Sequence, residues 1–97
     1  KNMVNNIQST VGPQILKVRG LNGATATRTN TFSVTVEAAN AAEFRAKVDG
    51  GAWSAWTPVS LPITLTGLTA YGAHTVYVEA RNASGATAAG QMVVFRL

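Results

Sequence analysis

The side chains of this chain that could carry chemistry are few: one histidine, four carboxylates, two tryptophans and no cysteine. As a general base, His74 would need a serine and a carboxylate within reach. Its nearest acid in sequence is Glu79, and on an alternating strand that odd offset puts the two on opposite faces. The acids Glu37, Glu43, Asp49 and Glu79 could serve as glycosidase carboxylates only as a pair about 5–10 Å apart in a cleft that raises one pKa. Three of them fall on outward strand positions and Asp49 falls in a turn, so ion pairing is the expected role, with Glu79 reaching Arg45 or Lys47 across neighbouring strands. One His and no Cys offer no metal-ligand spacing. Asp49 alone makes a turn rather than a calcium loop. No catalytic residue, metal ligand or cofactor is assigned, and the chain reads as no enzyme on its own.

Trp53 and Trp56 have the most to offer a ligand. Three apart on an extended strand, they are expected on opposite faces, one packed inward and the other on the surface. An exposed indole suits stacking on a sugar ring, and Tyr77, outward on its own strand, would widen such a platform. The competing expectation is that one indole caps the core while the other covers a hairpin or an interdomain seam. Arg45, Lys47 and Arg81 with Tyr77 form a thin basic and aromatic set, diluted by Glu43 and Glu79, so no nucleic-acid partner is expected. The net charge of +4 comes from scattered cations such as Lys17, Arg19, Arg28 and Arg96, which read as solvated strand faces. Asn82-Ala83-Ser84 fits the N-glycosylation pattern.

These side chains must be positioned by short strands. Lys1 to Gly12 shows no sustained period and is read as a linker or N-terminal arm, with one helical turn around Met3, Val4 and Ile7. From Pro13 onward, alternating runs are separated by turn residues every eight to twelve positions or so, the spacing of a sandwich or barrel. The runs are Ile15–Arg19, with Leu16 and Val18 inward; Thr31–Ala38, with Phe32, Val34, Val36 and Ala38 inward; and Glu43–Asp49, with Phe44, Ala46 and Val48 inward. Asp49-Gly50 supplies positive φ values for a tight turn, and Trp53–Thr57 is the returning strand, ended by Pro58. Ile63 to Leu65, His74–Arg81 with Val76, Val78 and Ala80 inward, and Met92–Leu97 complete seven strands. Asn82–Gly90 is read as a small-residue loop. The alanine patches at 38–42 and 83–89 are too short and too interrupted to stand as helices.

Ninety-seven residues bury a working core without disulfides, so residues 13–97 are expected to form one domain. Charged residues make up only 12% of the chain, about half the usual share. Its polar surface must therefore come from Thr, Ser, Asn and Gln, a habit of secreted β-proteins. No apolar run is long enough to cross a bilayer as a helix. The chain opens on Lys1, which reads as a processed or excised piece.

Phe44-Arg45-Ala46-Lys47-Val48-Asp49-Gly50-Gly51-Ala52-Trp53-Ser54-Ala55-Trp56-Thr57 resembles the middle of bacterial Ig-like and fibronectin type III-like modules. Ile63–Leu68 and His74–Gly85 are similar to the end of the same modules, and together the match covers about half the chain. The resemblance implies an all-β, seven-stranded Ig-like or fibronectin type III-like β-sandwich. His74 then stands where such modules carry the tyrosine of the tyrosine corner, its ring bonding backbone in the loop around Leu68 to Tyr71. Asn82 stands where many relatives have an Asp, a departure that counts against inter-domain calcium. Implied function is a non-catalytic spacer or interaction module of a larger bacterial exported protein, secreted or at the cell surface, an adhesin or a multidomain polysaccharide-active enzyme. Its partners would be neighbouring domains of the same polypeptide. The alternative is a carbohydrate-binding accessory domain that holds a polysaccharide on an exposed Trp.

Overall fold

Period-two alternation of β-branched and polar residues gives residues 32–36, 43–48 and 74–81 one apolar face each, and burying those faces requires a second layer. The computed structural model, which describes residues 12–97, shows the resulting all-β domain of two sheets. Its strands are β1 (Gln14–Gly20), β2 (Ala26–Thr27), β3 (Phe32–Ala39), β4 (Glu43–Val48), β5 (Thr57–Pro58), β6 (Ile63–Leu65), β7 (Gly72–Arg81) and β8 (Thr87–Arg96). One sheet has the order β1-β3-β6 and the other β2-β8-β7-β4-β5. Eight strands replace the expected seven because Ala26–Thr27 makes a short parallel pair with the end of β8. The helical turn expected around Met3, Val4 and Ile7 lies outside the described residues.

Between the sheets lie Phe32, Val34 and Val36 of β3, Phe44, Ala46 and Val48 of β4, and Ile63 and Leu65 of β6. Leu68, Val76, Val78, Ala80 and Val94 complete this buried cluster. Phe44, Leu68, Val34, Val76, Val78 and Val94 are fully enclosed, and burying each such side chain contributes about 1.5–3 kcal/mol before ordering costs. The phases read from the alternation of β3, β4, β6 and β7 match these buried positions.

Three strand assignments need correction. Leu16 is exposed rather than inward, because the β1–β3 register shifts between Ile15 and Lys17. A bulge there turns Leu16 out and lets Ile15 and Val18 both pack on the core. The last strand begins at Thr87, not Met92, and β7 and β8 pair without interruption from Gly72↔Arg96 to Arg81↔Thr87. Gly90 lacks a side chain where β1 passes closely: a Cβ there would lie 3.0 Å from Val18 Cγ2 and 3.2 Å from Ile15 Cγ2. The β7–β8 loop is closed by Asn82, whose Oδ1 accepts from Ser84 N, Ser84 Oγ and Ala86 N. Finally, of Asp49-Gly50 only Asp49 takes a positive φ, 51°, and the returning strand is just Thr57–Pro58. Proline fits there because β5 is an edge strand.

Candidate functional site

Outward residues of β4 and β7 build the most polar surface of the five-stranded sheet. Antiparallel pairing sets Glu43 opposite Arg81, Arg45 opposite Glu79 and Lys47 opposite Tyr77. Arg81 donates from Nε and Nη2 to Glu43 Oε1 at 3.0 and 2.8 Å. Arg45 donates in the same way to Glu79 Oε1 at 2.9 and 2.7 Å. Of the two cations open to Glu79 on the sequence, Arg45 is thus the one used. On the other sheet, Arg19 pairs with Glu37.

The segment that follows β4 folds back over these charges without becoming a regular strand. Ser54 ties it down: its amide donates to Ala46 O at 2.8 Å, and its hydroxyl accepts from Ala46 N at 3.0 Å. Because a side chain fills one of these two bonds, the segment crosses the edge of β4 out of register. Ladder pairing resumes only at Phe44↔Thr57. Trp53 and Trp56 consequently lie on the same side, over β4, which corrects the expectation of opposite faces. Neither enters the core. Arg45 Cζ sits 4.7 Å from the ring centroids of both indoles, Arg81 Cζ 4.1 Å from Trp56, and Lys47 Nζ 4.9 Å from Trp53 and 5.6 Å from Tyr77. The contacts run in the order Arg81, Trp56, Arg45, Trp53, Lys47, Tyr77, a ladder of alternating cations and rings. The three aromatic residues named from the sequence are therefore joined, through cations whose role the sequence reading missed. Their alternate positions along β4 and β7 were the available signal.

Beyond Trp53 lies an open groove of about 710 Å³ whose polar lining is Lys47, Asp49, Tyr77, Glu79 and Gln91. It borders the aromatic end of the ladder, so a ligand there would meet the rings of Trp53 and Tyr77 together with polar groups.

His74 is buried at the far end of β7 with an acceptor at each ring nitrogen. Nδ1 is 2.6 Å from Asp49 Oδ2 and Nε2 is 2.7 Å from the Ala70 carbonyl, a residue inside the loop from Leu68 to Tyr71. Two opposed acceptors favour the doubly protonated ring. The Ala70 carbonyl first, and the Asp49 carboxylate second, hold the His74 pKa above its ordinary 6.5, against burial and the charge of Arg96. Asp49 is held below its ordinary 3.8 by the bond to His74 and then by the Thr75 amide, which donates to Oδ1 at 2.9 Å. Asp49, read from the sequence as a turn residue alone, is thus also the partner of His74. With both nitrogens engaged, neither is placed to activate a nucleophile. No three acidic or histidine side chains converge among the described residues. No protein-family model matches the chain, and no curated protein matches it in sequence.

Proposed function

We propose that the chain is a non-catalytic structural module, a spacer or interaction domain of a larger exported bacterial protein, secreted or displayed at the surface. One observation carries this reading: the side chains of chemical promise are committed to internal partners. All four carboxylates are bonded to a cation or to His74, His74 spends both nitrogens, and each indole has two cations over its ring. Such mutual commitment stiffens a sheet and leaves little to a ligand. Strand order supports the Ig-like or fibronectin type III-like architecture: the first, third and sixth strands form one sheet, and the fourth, seventh and eighth form the centre of the other. Neighbouring domains of the same polypeptide are its partners.

A second reading, carbohydrate binding, is favoured by the groove beside Trp53, where Lys47, Tyr77 and Gln91 could orient a sugar. Titration of the chain with soluble glycans, followed by tryptophan fluorescence and amide NMR, separates the two. The structural module shows no change. A saturable shift centred on Trp53 and Tyr77, with Kd around a millimolar or tighter, establishes the second reading instead.

A further inference from the structure

Sheets need guarded edges, because an unpaired row of N–H and C=O groups is a template for another strand. Three edges of this domain are guarded. The β1 edge carries Lys17, Arg19 and the bulge at Leu16. The β6 edge is three residues long, and β5 is two residues long with Pro58 in it. The fourth edge differs. β2 covers β8 only at Phe95 and Arg96, so from Thr87 to Val94 no strand pairs with the outer edge of β8 among the described residues. This stretch has no charge and no proline, and its pairing with β7 shows no bulge.

The direction of its backbone groups follows from the bonds to the β2 segment. Phe95 N donates to Thr25 O and Leu97 N to Thr27 O, so odd-numbered residues of β8 point their amides away from β7. By the period of two, Ala89, Gln91 and Val93 present both N–H and C=O at the open edge, and all three are exposed. We infer that this edge pairs with the same edge of a second copy of the chain, antiparallel and two-fold, centred on Gln91.

Self-complementarity singles out a second copy as the occupant. With Gln91 opposite its own counterpart, Val93 falls opposite Ala89 on the outer face and Met92 opposite Gly90 on the inner one. Each larger side chain meets a small one, in both directions, as an isologous contact requires. The hydrogen-bonded pairs are then Gln91 with Gln91, and Ala89 with Val93 twice, about six backbone bonds. Val93, 46% exposed, gains an apolar neighbour across the new strand pair.

Sedimentation velocity and amide exchange of the 97-residue chain across a wide concentration range test this. The expected result is a monomer–dimer equilibrium in which protection of the Ala89, Gln91 and Val93 amides rises with concentration, while Gly90 and Met92, bonded to β7, are protected throughout. Gln91→Lys sets like charges face to face and raises the dissociation constant about fivefold or more, with the melting temperature of dilute protein unchanged. Mixing Gln91→Lys with Gln91→Glu restores the dimer as a heterodimer. A chain that stays monomeric with concentration-independent exchange at these three amides overturns the inference. So does a dimer indifferent to both variants, or an edge that takes up a foreign extended peptide while the chain remains monomeric.

Discussion

Replacing Trp56 by leucine removes two cation–ring contacts, with Arg81 at 4.1 Å and Arg45 at 4.7 Å. At a partly exposed site each is worth about 0.5–1 kcal/mol, so the pair contributes about 1–2 kcal/mol. Leucine keeps much of the apolar bulk, and the lost area adds at most about 1 kcal/mol. For a domain of this size each kcal/mol moves the melting temperature by about 4–8 °C, well within reach of calorimetry. A double-mutant cycle isolates the ring contact from the loss of bulk. Trp56→Leu combined with Arg81→Met should show coupling of about 0.5–1 kcal/mol. Lys47 touches Trp53 and Tyr77 but not Trp56, so the cycle with Lys47→Met should show coupling near zero. Equal coupling to Lys47 and Arg81, or none to Arg81, would refute the ladder as a source of stability.

Stability should also depend on pH through His74 and Asp49. His74 titrates above 6.5 in the folded chain, so its contribution is fully present below 6.5 and is lost as pH rises through the folded value. Asp49 titrates below 3.8, so its contribution is present above 3.8 and is lost as pH falls through its folded value. Melting temperature should therefore be highest between pH 3.8 and 6.5, and His74→Gln should flatten the alkaline fall; a profile unchanged by that substitution contradicts the assignment. Val78→Ala, at a fully enclosed site, should cost about 1–3 kcal/mol in denaturant melts, and a cost within error of zero would put the β7 phase in doubt. Gly90→Ala presses a methyl to 3.0 Å from Val18 and 3.2 Å from Ile15 and should cost about 1–3 kcal/mol. A neutral result there would mean that β1 does not cross β8 so closely.

The parts of this structure that were legible in the sequence are those where one local rule acts. Alternation in Phe32–Val36, Phe44–Val48 and Val76–Ala80 is imposed by one buried face, and those strands lie in the expected phase. Leu16 shows the limit of that rule, since alternation counts residues and a bulge inserts one. Gly90 breaks the apolar alternation of β8 because Ile15 and Val18 of β1 take the space its side chain would need, a contact between distant segments. The faces of Trp53 and Trp56 depended on Ser54 replacing a ladder bond with its hydroxyl, which no spacing rule reveals. Likewise, the union of Asp49 with His74 needs the β4–β7 register, which sets Val48 against Val76 and so brings the turn beside the imidazole. For His74, the resemblance to fibronectin-type modules pointed to backbone near Leu68 to Tyr71, and Ala70 lies in that span; it held no hint of the carboxylate.

The central claim is that Trp53 and Trp56 spend their rings on the chain's own cations. Arginine side-chain NMR of the free chain tests it most directly, since protons held over an indole are displaced upfield by the ring current. The Cδ protons of Arg45 and Arg81 should be displaced, those of Arg28 should not, and the displacement at Arg81 should vanish in Trp56→Leu and persist when glycans are added. Arg45 and Arg81 resonating with the unstacked arginines, or released from the rings as a glycan binds, would contradict the claim.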